Sequence, residues 1–102
     1  MTGSPPFSAR VESDPRRVVV EGELDLASSQ QLSSLLRDAL QGEDGQVVRF
    51  EFGGVTFMDS SGLASLLQVA EAGHQVVLCG AGEPVRRVIE ATGLEGVIRV
   101  EP

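Results

Sequence analysis

The chain predicts an α/β domain: an open, mixed sheet in the order β-β-α-β-α-β-α-β, with an antiparallel hairpin at its N-terminal end and one layer of helices dominant on one face. Three observations lead there. Apolar residues alternate with polar ones in Phe7-Ala9-Val11 and in Val48-Phe50-Phe52, the two-residue period of a strand. They recur at helical spacing in Leu32-Leu35-Leu36-Ala39-Leu40 and again in Leu63-Leu66-Leu67-Ala70. The two patterns then take turns, and helices placed between strands imply parallel pairing through right-handed crossovers.

Taken in order, Phe7, Ala9 and Val11 form the first strand, Asp14-Pro15 the turn, and residues 18–24 the second strand of the hairpin. Residues 28–40 are an amphipathic helix, with Ser28 and Gln31 spaced as a capping box and Gly42 as its stop. Residues 47–52 are the next strand, with Arg49 and Glu51 on the side opposite the apolar residues, so one face of the sheet should be better covered than the other. A turn at Asp59 leads into a helix over residues 61–72, stopped by Gly73. Val76-Val77-Leu78-Cys79 is a uniformly apolar, hence central, strand. Residues 83–92 form a third helix, with Pro84 suited to its first turn and Gly93-Leu94 reading as a Schellman stop. Residues 97–100 close the sheet. One domain over residues 7–102, behind a disordered tail at 1–6, accounts for the whole chain.

At 102 residues and 41% hydrophobic content, with four Phe and neither Trp nor Tyr, the core must be built from Val, Leu, Ile and Ala. A net charge of −7 repels nucleic acid and anionic lipid, and no basic cluster exceeds Arg16-Arg17 or Arg86-Arg87. The single Cys79 rules out an intrachain disulfide, and one His with one Cys does not make a zinc site. Residues 1–6 lack the basic and apolar regions of a signal peptide, and no apolar run reaches the ~20 residues of a membrane span. A cytoplasmic protein without cofactor or metal is expected.

In such a sheet the loops leading from strand to helix emerge at one edge. They carry Asp25, then Asp59-Ser60-Ser61, then Gly80-Ala81-Gly82-Glu83, so three acids and two hydroxyls are expected in one surface region. Asp59-Ser60-Ser61-Gly62 has the composition of a helix N-cap, worth ~1 kcal/mol. It also suits a modification site, because a phosphate there meets free N–H groups and the positive end of the helix dipole. Of the preceding Phe57 and Met58, Phe57 reads as core. Asp25 fits a plain turn residue or a neighbour of Ser60.

Enzymatic readings find little support. Gly80-x-Gly82 lacks the third glycine of a dinucleotide fingerprint, since that place holds Val85. Neither Ser60 nor Ser61 lies in a G-x-S-x-G elbow. His74 follows the far end of the helix that Ser61 begins, ~15 Å away, and reads as an exposed turn residue. Cys79, at a strand end, reads as buried. The second helix, with Ala64 and Val69 added to its stripe, is either deeply buried or meets a partner.

Gly22-Glu23-Leu24-Asp25, the run Val55-Thr56-Phe57-Met58-Asp59-Ser60-Ser61-Gly62-Leu63, Val85-Arg86-Arg87-Val88, Thr92-Gly93-Leu94 and Val97-Ile98-Arg99-Val100 together closely resemble the bacterial anti-sigma factor antagonists of the STAS domain family, over residues 7–101. The resemblance implies a non-enzymatic partner switch. The unphosphorylated form binds an anti-sigma factor that is also a serine kinase of the histidine-kinase-like ATPase type, and so releases a sigma factor. The kinase phosphorylates the hydroxyl directly after the motif's Asp, here Ser60, and a metal-dependent serine phosphatase resets it. Ser61 has the same chemistry but not that motif position. Asp25, Met58, Asp59, Ser61, Gly62 and Glu83 are the expected partner-binding residues. The chain departs from the family pattern in a central helix one turn shorter and in ending without a further helix after the last strand. The same fold also serves as a subunit of membrane transporters, such as ABC lipid-transport complexes, where the serine would be a structural cap. A small nucleotide hydrolase is the remaining rival, without a phosphate-cradling Gly-Lys loop to support it.

Overall fold

The computed structural model describes residues 6–13 and 16–102; the Asp14-Pro15 turn and all but the last residue of the expected tail lie outside the described residues. Five strands and three α-helices follow one another as β1 (Ser8–Ser13), β2 (Arg16–Leu24), α1 (Leu26–Ala39), β3 (Val47–Met58), α2 (Ser60–Glu71), β4 (Gln75–Cys79), α3 (Glu83–Thr92) and β5 (Ile98–Glu101), with a single 3₁₀ turn at Leu94–Gly96 before β5. The strands lie in the sheet in their order along the chain. β1 and β2 pair antiparallel, and every later pair is parallel. Three right-handed crossovers stepping the same way across a sheet put all three helices on one face. The expected architecture is the observed one.

That face holds the core. Val18, Val20 and Leu24 of β2, Val48, Phe50 and Phe52 of β3, Leu78 of β4 and Ile98 of β5 meet Leu32 and Leu36 of α1, Leu66 of α2 and Ile89 of α3. Each is nearly or wholly shielded from water. Burying a side chain of this size contributes about 1.5–3 kcal/mol. Phe50 and Phe52 meet edge to face with centroids 6.1 Å apart. α2 is the middle helix, packed against α1, α3 and the sheet, which explains its broad apolar surface. Its Leu63, Leu66 and Val69 are buried, whereas Ala64 is exposed.

The opposite face is covered by charge rather than by helices. Arg17 lies 3.6 Å from Glu51, Arg49 3.0 Å from Glu101 and Arg99 3.2 Å from Glu101. The half-exposed pairs contribute at most about 1 kcal/mol each. Val77, in register between Arg49 and Arg99, is only 5% exposed, consistent with long arginine stems lying over it. Cys79 is half-buried on this face, with Arg49 Nη1 donating to its sulfur at 3.7 Å.

The structure corrects several boundaries. β3 runs to Met58 rather than ending at Phe52, because β2 pairs with it beyond Gly53-Gly54, through two register irregularities. Two successive glycines weaken a strand's intrinsic preference, but a partner strand overrides it. β4 is interior, as expected, although the middle strand is β3. α1 starts at Leu26, so its capping box is Asp25 with Ser28, not Ser28 with Gln31. The two extra residues escape the pattern because Leu26, 62% exposed, lies off the apolar stripe. α3 matches its expected span, and Gly93 ends it in the left-handed conformation (φ 71°) that glycine adopts without steric cost.

Candidate functional site

Leu24 of β2 and Met58 of β3 are in register, and the Asp59 N–H donates to the Leu24 carbonyl at 3.3 Å. The two strands therefore end level, and the caps that follow, Asp25 and Asp59, leave the sheet side by side. Each starts a helix. Asp25 Oδ1 accepts from the Ser28 N–H at 3.1 Å, while the Asp25 N–H donates to Ser28 Oγ at 2.9 Å. Asp59 Oδ1 accepts from the Ser61 N–H at 2.9 Å and from the Gly62 N–H at 3.4 Å. Carboxylates at both positive helix ends satisfy N–H groups that otherwise lack partners. The backbone N–H of Ser28, then its hydroxyl, hold the Asp25 carboxyl below its ordinary range.

Ser60 is the first residue of α2 and is exposed. Asp25, Asp59 and Ser61 beside it are half-buried. Neither Asp25 nor Asp59 forms an ion pair among the described residues, so the carboxylates flanking Ser60 keep their charge unneutralised. A hydroxyl in this position is open to solvent, next to negative charge, and backed by a helix N-terminus.

Three expected partner-binding residues sit differently. Met58 is 2% exposed, part of the core under α2. Gly62 is buried where α2 lies directly on the sheet: a Cβ there would come within 2.7 Å of Met58 Cγ and 2.8 Å of Leu24 Cγ. Its role is to let α2 approach, and neither residue offers a side chain for contact. Glu83 is exposed but is not in the same region. The register pairs Cys79 with Glu51, and a Cβ on Gly80 would lie 3.5 Å from the Gly53 nitrogen. The 80–83 loop thus leaves the sheet opposite Gly53, six residues of β3 short of Asp59, on the order of 20 Å of chain. Glu83 instead faces Arg87 at 3.8 Å. Of the three loops expected to share a region, two do.

Phe57 reverses its expected role as well: it points away from the helix layer and is 44% exposed, while its neighbour Met58 takes the core position. A period-two strand cannot bury both, and helices cover only one face. With Leu26 it makes up the exposed large apolar surface of this end of the molecule. The Asp25 cap was legible, since Asp-x-x-Ser has capping-box spacing, and so was the exposure of Leu26, which lies off the apolar stripe of α1. His74 is 6% exposed rather than an open turn residue, because Nδ1 accepts from the Gln46 N–H at 3.0 Å and draws the ring inward. Among the described residues, no group of three His, Cys, Asp or Glu is placed to hold a metal ion, and no helix is long and apolar enough to cross a membrane.

The STAS domain family model matches residues 7–102, and the chain belongs to that family. It is 27% identical over 94 residues, 88% of this chain and 82% of the relative, to an anti-sigma-B factor antagonist of Listeria monocytogenes. Among solved structures it is similar to an anti-sigma factor antagonist from Mycobacterium paratuberculosis, with a TM-score of 0.82 at 24% identity over 97% of this chain and 90% of that one, a likeness of fold. It is also similar to the anti-sigma factor antagonist SpoIIAA in its unphosphorylated form, with a TM-score of 0.68 at 27% identity over 94% of this chain and 88% of that one. The Bacillus cell fate determinant SpoIIAA in its phosphorylated form gives 0.62 at 26% identity, over 94% and 91%.

Proposed function

We propose that this protein is an anti-sigma factor antagonist acting as a phosphorylation-controlled partner switch, with Ser60 the acceptor. Family membership and the names of its relatives support the class. The observation that carries the site is the exposed Ser60 at the start of α2, flanked by two unpaired capping carboxylates. In this reading the unmodified protein binds an anti-sigma factor through the end of the molecule that carries Ser60, and a sigma factor goes free. The anti-sigma factor is a serine kinase of the histidine-kinase-like ATPase type, and a serine phosphatase restores the unmodified state. The protein itself catalyses nothing and acts in the cytoplasm.

The physics suits this use. A phosphate brings about −1.5 to −2 charges at pH 7. It would land beside Asp59 and Asp25, and like charges forced together in a docked interface cost several kcal/mol, each ~1.4 of which is tenfold in affinity. The free protein tolerates the modification, because the α2 dipole favours an anion at its N-terminus. Binding is disrupted while folding is spared.

The test is incubation with ATP and each histidine-kinase-like ATPase encoded in the same genome, followed by mass spectrometry. Wild type should gain one phosphate with one of these kinases and Ser60→Ala none. A phosphate placed at full yield on Ser60→Ala would overturn the site, and no phosphorylation or binding by any of the kinases would overturn the function.

A further inference from the structure

A groove runs along α1 and α2. A concavity of about 350 Å³ begins beside Leu26 and Ser61, and one of about 510 Å³ continues to His74 at the other end. Ser33, Arg37, Ser65 and Gln68 line both. We propose that the far end of this groove, between Arg37 and His74, binds a small molecule bearing a single carboxylate or phosphate group.

The side chains there are arranged as donors. His74 is more than nine-tenths buried, and its Nδ1 is taken up by the Gln46 N–H. An imidazole that accepts at Nδ1 carries its proton on Nε2, and that N–H makes no protein hydrogen bond among the described residues while its ring lines the cavity. Arg37 is exposed and, of the eight arginines, is one of only two without an ion pair among the described residues; the other, Arg86, lies on α3. Its planar fork matches the oxygens of a carboxylate or a phosphate. The Ser33 hydroxyl, 2.8 Å from Ser65 Oγ, and the Gln68 amide complete a polar wall. Two carboxylates also line the cavity and limit what enters. Glu43 is already engaged by Arg16, whose Nη2 donates to Oε1 at 2.7 Å, but Asp38 has no cation of its own among the described residues. A polyanion would meet that charge, so one oxyanion group is the match.

The proposal is independent of the phospho-switch, and its test needs no kinase. The isotope-labelled full chain is titrated with lactate or glycerol 3-phosphate at tens of millimolar, against sodium chloride of equal ionic strength, with citrate as the polyanion. Saturable shifts are expected at Arg37, Ser33, Gln68 and the His74 imidazole. Whichever of the two probes binds more tightly identifies the oxyanion, and citrate should bind more weakly. Arg37→Ala, an exposed change that leaves the core untouched, should weaken binding about fivefold or more, the loss of a charge-assisted hydrogen bond. Shifts that match the chloride control, fail to saturate, or persist undiminished in Arg37→Ala would overturn the proposal.

Discussion

Two loops of this molecule occupy the same topological position and have little else in common. Both the 59–61 turn and the 80–83 loop carry the chain from a parallel strand into a helix. At the first, Asp59 caps α2 through its side chain, a neighbouring helix is capped in the same way by Asp25, and Ser60 stands exposed directly after the Asp59 cap. At the second, Gly82 caps α3 without a side-chain hydrogen bond, and the loop leaves the sheet opposite Gly53. Strand length makes the difference. β3 has twelve residues and β4 five, paired from their N-terminal ends, so their C-terminal ends fall at different heights. A rule that places all such loops at one edge orders them correctly but does not make them neighbours.

Charge is the sharpest way to probe that difference. Ser60→Asp should weaken binding to the anti-sigma factor about tenfold or more, whereas Glu83→Gln should change it less than about twofold, both measured by calorimetry. Equal effects would mean that the partner spans both loops. Packing distinguishes them next. Gly62→Ala forces a methyl against Met58 and Leu24 and should cost about 1–3 kcal/mol in urea denaturation. Gly82→Ala, whose Cβ meets nothing nearer than Pro84 Cδ at 3.8 Å, should cost less than about 1 kcal/mol, from the poorer N-cap alone.

Capping should give smaller, opposite changes. Asp59→Ala should destabilise by ~1 kcal/mol through loss of the bonds to Ser61 and Gly62, while Gly82→Asp should gain a few tenths by supplying the missing cap. The smallest effect lies in the pH dependence. Hydrogen bonds from Ser28 lower the Asp25 pKa from 3.8, so the stability this carboxylate contributes is present above that pH and is lost as pH falls through its lower native value. Asp25→Asn should therefore differ from wild type at neutral pH and converge with it in acid, followed by circular dichroism.

Much of the fold was legible because its signals are local. α3 carries Pro84 in its first turn, Val85-Val88-Ile89 on one face and Gly93 after its last, and it spans the expected residues. The alternation in Val48-Phe50-Phe52 identified the covered face. The site was legible in part: the Asp59 cap and the exposed Ser60 follow from residue types at a strand-to-helix junction. Met58 and Phe57 were not, because adjacent strand residues face opposite ways and the phase depends on which face the helices cover. Nor was His74, whose burial depends on a bond to Gln46, twenty-eight residues away in the chain.

The sequence by itself determined the order of elements, the Asp59 cap and the glycine stop of α3, and the hydroxyl at position 60, since turns, caps and periodicity arise from contacts a few residues apart. Tertiary structure alone decided which acids accompany that hydroxyl. Asp25 joins it because Leu24 and Met58 pair in register, and Glu83 is held apart because β4 ends against Glu51. Strand register is a choice between distant segments, set by the packing of a whole face, and no local pattern encodes it.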